Sequence, residues 1–262
     1  VAVATVLAGR SWSPLEALLA LIVALSLQIA VNYSNDYSDG VRGTDTNRVG
    51  PIRLTASGLA SPKAVKTAAL LSFLIATIAG LALAALSSWW ILIVGASAIL
   101  AAWGYTGGRS PYGYSGFGEL SVFTFFGVVA TVGTYYVQTL DISLAVLAAS
   151  VPMGTLSCAI LAINNIRDRE LDAQAGKNTL AVRLGDLNSR RFYVALIVSA
   201  YIFAPLTGDP LALLTLATFP QARALISEVL AGATGEALIP LLGRTGQLQL
   251  HFALIFALSL SF

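Results

Sequence analysis

The chain has 262 residues, of which 56% are hydrophobic and only 11% are charged, and its mean hydropathy is +0.79. Average soluble domains are about 45–50% apolar and about 25% charged, so this composition excludes an ordinary water-soluble globule and predicts a polytopic membrane protein. One Cys and one His exclude a disulfide framework and a Cys/His zinc site, and a net charge of +2 argues against a nucleic-acid partner.

Long apolar runs define the predicted spans, because a helix needs about 20 apolar residues to cross a hydrocarbon core of about 30 Å. In chain order the runs are Pro14–Asn35, Ala64–Leu86, Trp89–Tyr105, Gly118–Leu140, Ile142–Ile166, Phe192–Leu206, Pro210–Val229 and Gln247–Phe262. Val1–Gly9 has the composition of the tail of an earlier, truncated span. We therefore expect an all-α membrane bundle of about nine transmembrane helices, in one domain embedded in the lipid bilayer.

The basic residues are distributed unevenly between the two sides of these spans. Fourteen of the fifteen Lys and Arg side chains fall in or beside the loops on one side, and only Arg10 falls on the other. Cytoplasmic loops of membrane proteins carry such an excess of Lys and Arg. The sequence therefore predicts a multi-pass protein of the cytoplasmic membrane with its long loops inside the cell.

Two loops on the basic side begin with similar acidic motifs. Asn35-Asp36-x-x-Asp39 ends the first complete span, and Asn164-Asn165-x-x-Asp168-x-x-x-Asp172 ends a later one. Asp36 and Asp168 are 132 residues apart with four spans between them, so the two halves have the same orientation. This pattern predicts an internal parallel repeat, about 14–140 and 142–262, of the kind that places a site at the repeat interface.

The spacing within each motif stacks oxygen atoms on one helix face, because residues three or four apart are neighbours on a helix. Clustered carboxylates repel one another unless a cation compensates them, and hard oxygen ligands favour Mg²⁺ or Ca²⁺. Mg²⁺ commonly binds one or two carboxylates and leaves positions for substrate phosphates. Four side chains are therefore the candidate metal-binding and catalytic residues: Asp36, Asp39, Asp168 and Asp172.

Basic residues follow both acidic motifs and are suited to binding phosphate oxygens, Arg bidentately and Lys as a point charge. They are Arg48, Arg53, Lys177 and Arg183. Acidic and basic groups together at one lipid boundary suggest a diphosphate attached to a lipid tail as the substrate.

A third loop on the same side, residues 105–119, is rich in Gly and Tyr, and is either a substrate-contacting segment or an ordinary turn. It lacks the Gly-Lys-Ser/Thr ending of a P-loop, so nucleotide binding is not supported. Glu119 at its end is interpreted as a solvated or helix-capping residue. His251 and Cys158 are interpreted as packed interior residues, since neither has the partner that nucleophilic catalysis needs.

The two acidic motifs resemble those of the UbiA superfamily of intramembrane aromatic prenyltransferases. Further matches are Asn35–Asp45, Arg48-Val49-Gly50-Pro51, Tyr105-Thr106-Gly107-Gly108 and Lys177–Gly185, which look like the 1,4-dihydroxy-2-naphthoate polyprenyltransferases of menaquinone synthesis. The similarity covers nearly the whole chain. One departure is that the family's basic N-terminal stretch before the first span is absent from this sequence.

The resemblance implies nine helices around a central cavity that opens to lipid, with Mg²⁺ bridging the acidic motifs and the diphosphate. It implies transfer of a polyprenyl group from polyprenyl diphosphate to 1,4-dihydroxy-2-naphthoate, with loss of CO₂ and diphosphate, to give demethylmenaquinol. By position, Asp36, Asp39, Asp168 and Asp172 bind the metal diphosphate. The candidate substrate-binding residues are Asn35, Asp45, Arg48, Arg53, Tyr105, Arg109, Asn164, Asn165 and Lys177.

Two alternatives stay open from the sequence. The same scaffold with a different aromatic acceptor would use 4-hydroxybenzoate, a chlorophyllide or haem. A cation-coupled transporter would place its ion site at Asp36 and Asp168, although transporters usually hold such residues near the midplane and not at one edge of the bilayer. The general base is left between an Asp and Tyr105, and no motif addresses prenyl length or oligomeric state.

Overall fold

The computed structural model describes residues 12–44, 50 and 52–261. Among these residues the regular secondary structure is entirely helical. The predictions made for Val1–Gly9, Arg10, Asp45 and Arg48 lie outside the described residues.

Eight principal helices coincide at least in part with the eight predicted runs, and the run Pro210–Val229 is divided between a 3₁₀ segment and α7. They are α1 (Pro14–Arg42), α2 (Pro62–Leu86), α3 (Ile91–Gly104), α4 (Gly118–Thr139), α5 (Leu144–Gln174), α6 (Leu180–Phe203), α7 (Phe219–Leu230) and α8 (Leu238–Ser259). Short 3₁₀ segments are Tyr112–Ser115, Ala204–Thr207, Pro210–Thr218 and Gly235–Ala237. Of the helices in the described part of the chain, α1, α2, α4 and α5 are both long and apolar enough to cross a membrane, and α3 is a shorter apolar helix. The predicted all-α, multi-pass membrane class is confirmed.

Both acidic motifs lie on regular helix and not in loops. Helix α1 continues to Arg42 and α5 continues to Gln174, each past the end of its predicted apolar run. Asp36 and Asp39 therefore lie within one turn on α1, and Asp168 and Asp172 within about one turn on α5, as their spacing predicts.

Large apolar side chains on the outer faces of the helices are exposed in the structure. On α1 they recur every three or four residues, at Leu18, Leu21, Leu25 and Ile29, each about half exposed. A helix face of this kind is stable against lipid and unstable against water. The exposed stripe agrees with a multi-pass membrane protein.

The chain forms two compact units, which we call the motif unit and the core unit. The motif unit contains Pro14–Gly118 and Asp168–Val182, and the core unit contains Glu119–Arg167 and the chain from Arg183 onwards. In the motif unit, α1 packs mainly against α2 through small buried side chains, among them Ala30, Ala69 and Ala76. Helix α2 is capped at its N-terminus by Ser61, whose hydroxyl accepts a hydrogen bond from the N–H of Ala64 at 3.2 Å.

The core unit is built from α5, α6, α7 and α8 around fully buried aromatic and aliphatic side chains, including Tyr193, Phe252, Phe256 and Ile163. Arg190 connects α6 to the C-terminal end of α7, because its guanidinium donates to the backbone carbonyls of Val229 at 2.6 Å and Ala233 at 2.8 Å. The predicted internal repeat stays a prediction, since these units are defined by packing and not by similarity.

Within the core unit, α4 and α5 approach each other at two glycines, which gives a prediction about stability. A Cβ atom on Gly127 would lie 2.5 Å from the Cα of Gly154, a distance that backbone atoms cannot relieve locally. We expect Gly127→Ala to destabilise the fold by about 1–3 kcal/mol through overpacking and to lower Tm in detergent by several degrees. Gly133→Ala on the same helix is the control, because a Cβ there meets nothing within 4 Å. An unchanged Tm for Gly127→Ala would contradict the close approach.

Candidate active site

Asp36 anchors the segment that follows α1. Its side chain is buried, and its two carboxylate oxygens accept hydrogen bonds from the backbone N–H groups of Leu54 and Thr55, each at 2.8 Å. One helical turn further along, Gly40 gives this segment room, since a Cβ there would lie 2.5 Å from the Cβ of Thr55. The sequence predicted Asp36 as a metal ligand but did not predict these backbone partners. Its metal role stays a prediction.

The two acidic motifs meet at Lys177. Its ammonium lies 3.4 Å from a carboxylate oxygen of Asp39 and 3.9 Å from one of Asp172, and all three side chains are largely buried. One cation therefore lies between a carboxylate of the first motif and a carboxylate of the second. The predicted convergence of Asp39, Asp172 and Lys177 is observed within the motif unit.

The local sequence explains how Lys177 reaches this position. Helix α5 ends in a turn at Gly176, whose φ of 74° is open to glycine and unfavourable for other residues. The N–H of Lys177 donates to the carbonyl of Asp172 at 2.8 Å, and the N–H of Gly176 to that of Ala173 at 3.2 Å. This is the Schellman arrangement of a helix C-terminus, and it reverses the chain so that the lysine side chain returns to the motif.

The third loop contributes Tyr114, which the sequence analysis did not single out. The phenol of Tyr114 donates a hydrogen bond to Asp39, and the Lys177 ammonium lies 4.7 Å from the centre of its ring. Burial raises the pKa of Tyr114 above its ordinary value, and the negative charge of Asp39 raises it further. The phenol is therefore neutral and acts as a hydrogen-bond donor at physiological pH. Its only sequence signal was the Tyr-rich composition of the loop.

Helix α1 and the third loop are joined by two further contacts. The guanidinium of Arg42 donates to the backbone carbonyls of Thr106 and Gly108 and lies 5.4 Å from the centre of the Tyr114 ring. The Asn35 side-chain oxygen accepts from the hydroxyl of Thr106 at 2.8 Å. Asn35 was a predicted site residue, whereas Arg42 was missed because one basic side chain at a helix end has no distinctive pattern.

Four other predicted site residues also lie in the motif unit. Asp168 is buried on α5, and Arg53 is partly buried in the segment anchored by Asp36. Tyr105 packs its ring edge-to-face with Tyr112 at 5.5 Å, and Arg109 is exposed. The structure places Asp36, Asp39, Asp172 and Lys177 in the contacts described above, and the binding role of every predicted site residue stays a prediction.

In the core unit, Asn165 and Glu119 form a buried pair. The Asn165 amide donates to a Glu119 carboxylate oxygen at 2.9 Å, and both side chains are at least nine-tenths buried. The solvated alternative for Glu119 is therefore wrong, because its side chain is buried, whereas its place in the first turn of α4 agrees with the helix-capping alternative. Asn164 instead accepts from Arg167 at 2.8 Å.

Cys158 and His251 were both predicted to be packed in the interior, and the structure confirms this only for Cys158. Cys158 is buried, as predicted, and its thiol lies 3.1 Å from the backbone carbonyl oxygen of Glu119. His251 was predicted to be packed inside, but its side chain is exposed on α8 and lies 3.0 Å from the Gln221 side-chain oxygen. Pairing with a glutamine lets the imidazole remain at the helix surface.

The donor set fits Mg²⁺ bound together with a substrate diphosphate. Within residues 12–44, 50 and 52–261, no three Asp, Glu, His or Cys side chains are grouped closely enough to hold a metal ion by themselves. Mg²⁺ usually binds one or two carboxylates and takes its other oxygens from water and phosphate. Asp39 and Asp172, which already flank one cation, provide such a pair.

The site of this all-helical, multi-pass membrane protein thus consists of two acidic helix ends with a buried lysine between them. The chain belongs to the UbiA prenyltransferase family, whose model matches residues 1–234. It is an enzyme of the prenyltransferase class.

Comparison with known proteins gives similarity at two levels. The chain is 50% identical over 249 residues to the 1,4-dihydroxy-2-naphthoate octaprenyltransferase of Mycobacterium tuberculosis, covering 94% of this chain and 85% of that protein. It is 46% identical to the enzyme of the same name from Mycobacterium leprae, covering 92% and 83%. A structure of a UbiA homolog from Archaeoglobus fulgidus bound to GPP and Mg²⁺ has the same fold, with a TM-score of 0.61 at 13% identity, covering 99% and 94%.

Proposed function

We propose that the protein transfers a polyprenyl group from a polyprenyl diphosphate to 1,4-dihydroxy-2-naphthoate, and so makes demethylmenaquinol for menaquinone synthesis. The observation that carries the proposal is the position of Lys177 between Asp39 and Asp172, which brings both acidic motifs to one cation. The names of the two mycobacterial relatives support the choice of acceptor.

The four motif aspartates are the proposed ligands of the metal diphosphate: Asp36, Asp39, Asp168 and Asp172. When bound, Mg²⁺ neutralises negative charge on the diphosphate and so makes it a better leaving group. The complex of the A. fulgidus homolog with GPP and Mg²⁺ supports a divalent cation as the cofactor. Among the aspartates, Asp36 also holds the backbone of Leu54 and Thr55, so it contributes to the shape of the site as well as to its charge.

The basic residues of this chain supply the remaining charge compensation. The ammonium of Lys177 is buried beside Asp39 and Asp172, two of the proposed metal ligands. Arg53 lies in the segment that Asp36 anchors. Arg48 is assigned the same role from the sequence. Donors directed at a leaving group that gains charge in the transition state accelerate its departure. Further proposed substrate contacts are Asn35, Asp45, Tyr105, Arg109, Asn164 and Asn165.

The reaction balances without an oxidant or a reductant. The allylic carbon–oxygen bond breaks and its electron pair leaves with diphosphate, while the electron-rich naphthoate ring forms a carbon–carbon bond to the prenyl carbon. The ring carboxylate departs as CO₂, and the electron pair of its bond restores the aromatic ring. The apolar helices of the chain exclude water that would otherwise capture the prenyl cation.

The protein is proposed to lie in the cytoplasmic membrane with the acidic motifs on the cytoplasmic side. The support is the bias of Lys and Arg to one side of the predicted spans. Both substrates then meet at the inner boundary of the bilayer, the polyprenyl chain from the lipid and the naphthoate from the cytoplasm.

An acceptor panel tests the proposal. Membranes containing the protein are incubated with Mg²⁺, labelled polyprenyl diphosphate and, separately, 1,4-dihydroxy-2-naphthoate, 4-hydroxybenzoate, a chlorophyllide or haem. We expect a prenylated product with the naphthoate, CO₂ release from its carboxyl group, and loss of both on adding EDTA. A product formed only with another acceptor would overturn the choice of substrate. Solute flux in proteoliposomes without any product would favour a transporter.

A further inference from the structure

We propose that Tyr114 is a positioning residue that fixes Asp39 for binding of the metal diphosphate. The inference rests on the proposed function in one respect only, namely that Asp39 binds the metal diphosphate. Tyr114 belongs to the third loop, and it is part neither of the acidic motifs nor of the basic residues that follow them.

Tyr114 is attached to two separate segments of the motif unit. Its phenol donates to one carboxylate oxygen of Asp39, while the other oxygen of Asp39 faces Lys177 at 3.4 Å. Its backbone carbonyl accepts from the N–H of Asn178 at 2.7 Å, immediately after Lys177. A single residue thus contacts the end of α1 and the segment that follows α5.

The ring of Tyr114 lies close to two cationic side chains. The ammonium of Lys177 is 4.7 Å and the guanidinium of Arg42 is 5.4 Å from its centre. Both distances are within the range of cation–π attraction, which is electrostatic and directional. The ring therefore holds the two basic groups beside Asp39 as well as holding Asp39 itself.

The hydrogen-bond donor to Asp39 is an uncharged phenol. A carboxylate fixed by a lysine or arginine alone loses much of its attraction for a metal cation, because the partner already supplies a positive charge. A neutral phenol fixes the orientation of the side chain and leaves its charge in place. Tyr114 therefore fixes one oxygen of Asp39 and adds no positive charge to that which Lys177 already contributes at the other oxygen.

Tyr112 is a matched control in the same short 3₁₀ segment. Its phenol also makes a hydrogen bond, to the backbone carbonyl of Ala101 at 2.8 Å, and its ring also packs against another ring. This hydroxyl bonds to α3, not to the acidic motifs. Tyr112→Phe and Tyr114→Phe each keep the ring, remove one hydroxyl and add no atoms, so each variant loses one hydrogen bond.

The test measures metal binding directly on the purified full chain in detergent. Mn²⁺ replaces Mg²⁺, inorganic pyrophosphate provides the phosphate oxygens, and free Mn²⁺ is followed by its paramagnetic resonance signal. We expect Tyr114→Phe to weaken Mn²⁺ binding by about tenfold, the loss typical of a hydrogen bond to a charged group. Tyr112→Phe should bind Mn²⁺ within about twofold of the unmodified protein, because the hydroxyl that it loses bonds to a neutral carbonyl of α3 and not to the acidic motifs. The Mg²⁺ concentration that gives half-maximal turnover should rise for Tyr114→Phe alone.

Equal Mn²⁺ binding by the two variants would overturn the role of Tyr114, and normal prenyl transfer in the same preparations would leave the proposed function standing. If the unmodified protein gave no product with any acceptor, the proposed function would fail, and the Mn²⁺ comparison would still decide the role of Tyr114. Measuring Tm for both variants separates a general loss of folding from a loss of metal binding. A larger fall in Tm for Tyr114→Phe, with Mn²⁺ binding unchanged in the folded fraction, would make the residue structural only.

Discussion

Asp39→Asn and Asp168→Asn should each reduce Mg²⁺-dependent diphosphate release by about 10²–10³-fold, the loss typical of removing one preorganised electrostatic contact to a transition state. In Asp39→Asn the amide oxygen still accepts from Tyr114, but the new NH₂ group faces the ammonium of Lys177. Two donors then oppose each other, and one negative charge between the acidic motifs is lost. Asp168→Asn removes a second buried charge on α5 with almost no change in volume.

Diphosphate release is measured with saturating naphthoate over a range of Mg²⁺ concentrations. Asp141→Asn is the matched control, because Asp141 is exposed between α4 and α5 and belongs to neither motif. Its turnover should equal that of the unmodified protein. Near-normal turnover in both Asp39→Asn and Asp168→Asn would refute the metal-diphosphate role of the motifs, whatever the family of the chain.

The second large effect is expected at Gly40, where the end of α1 meets the segment anchored by Asp36. Gly40→Ala places a Cβ 2.5 Å from both the Cβ and a methyl carbon of Thr55. Neither atom is the end of a long flexible side chain, so the backbone of the segment must shift. Overpacking of this kind costs about 1–3 kcal/mol, and here the shift separates Thr55 N–H from the Asp36 carboxylate. We expect activity to fall by about 10–100-fold, the equivalent of that cost.

A compensating substitution distinguishes this steric cause from any other effect of the alanine. Thr55→Gly removes both atoms that clash and keeps the backbone N–H that Asp36 accepts. The double variant Gly40→Ala/Thr55→Gly should therefore recover most of the lost activity. Gly80→Ala on α2, where a Cβ meets nothing within 4 Å, should be neutral for activity. Failure of Thr55→Gly to restore Gly40→Ala would rule out the proposed packing of this segment on α1.

The burial of Glu119 could not be predicted from its position in the sequence. Its place at the start of a predicted span indicated a solvated or capping carboxylate. In the fold, the amide of Asn165, 46 positions further along the chain, donates to it inside the core unit. A span boundary defined by hydropathy says which residues are near the membrane surface, but it does not say which helix covers them.

Three features could be predicted from the sequence alone: the helical membrane class, the extent of the apolar runs and the stacking of Asp36 with Asp39 on one helix face. These are properties of neighbouring residues, because apolar length and the helical repeat act over a few turns of one segment. Two contacts of Asp39 are seen only in the folded chain: Tyr114 donates to it from 75 positions away, and Lys177 contacts it from 138 positions away. Such contacts depend on which helix ends pack together, and that choice is made by the summed packing of the whole chain and not by any short motif.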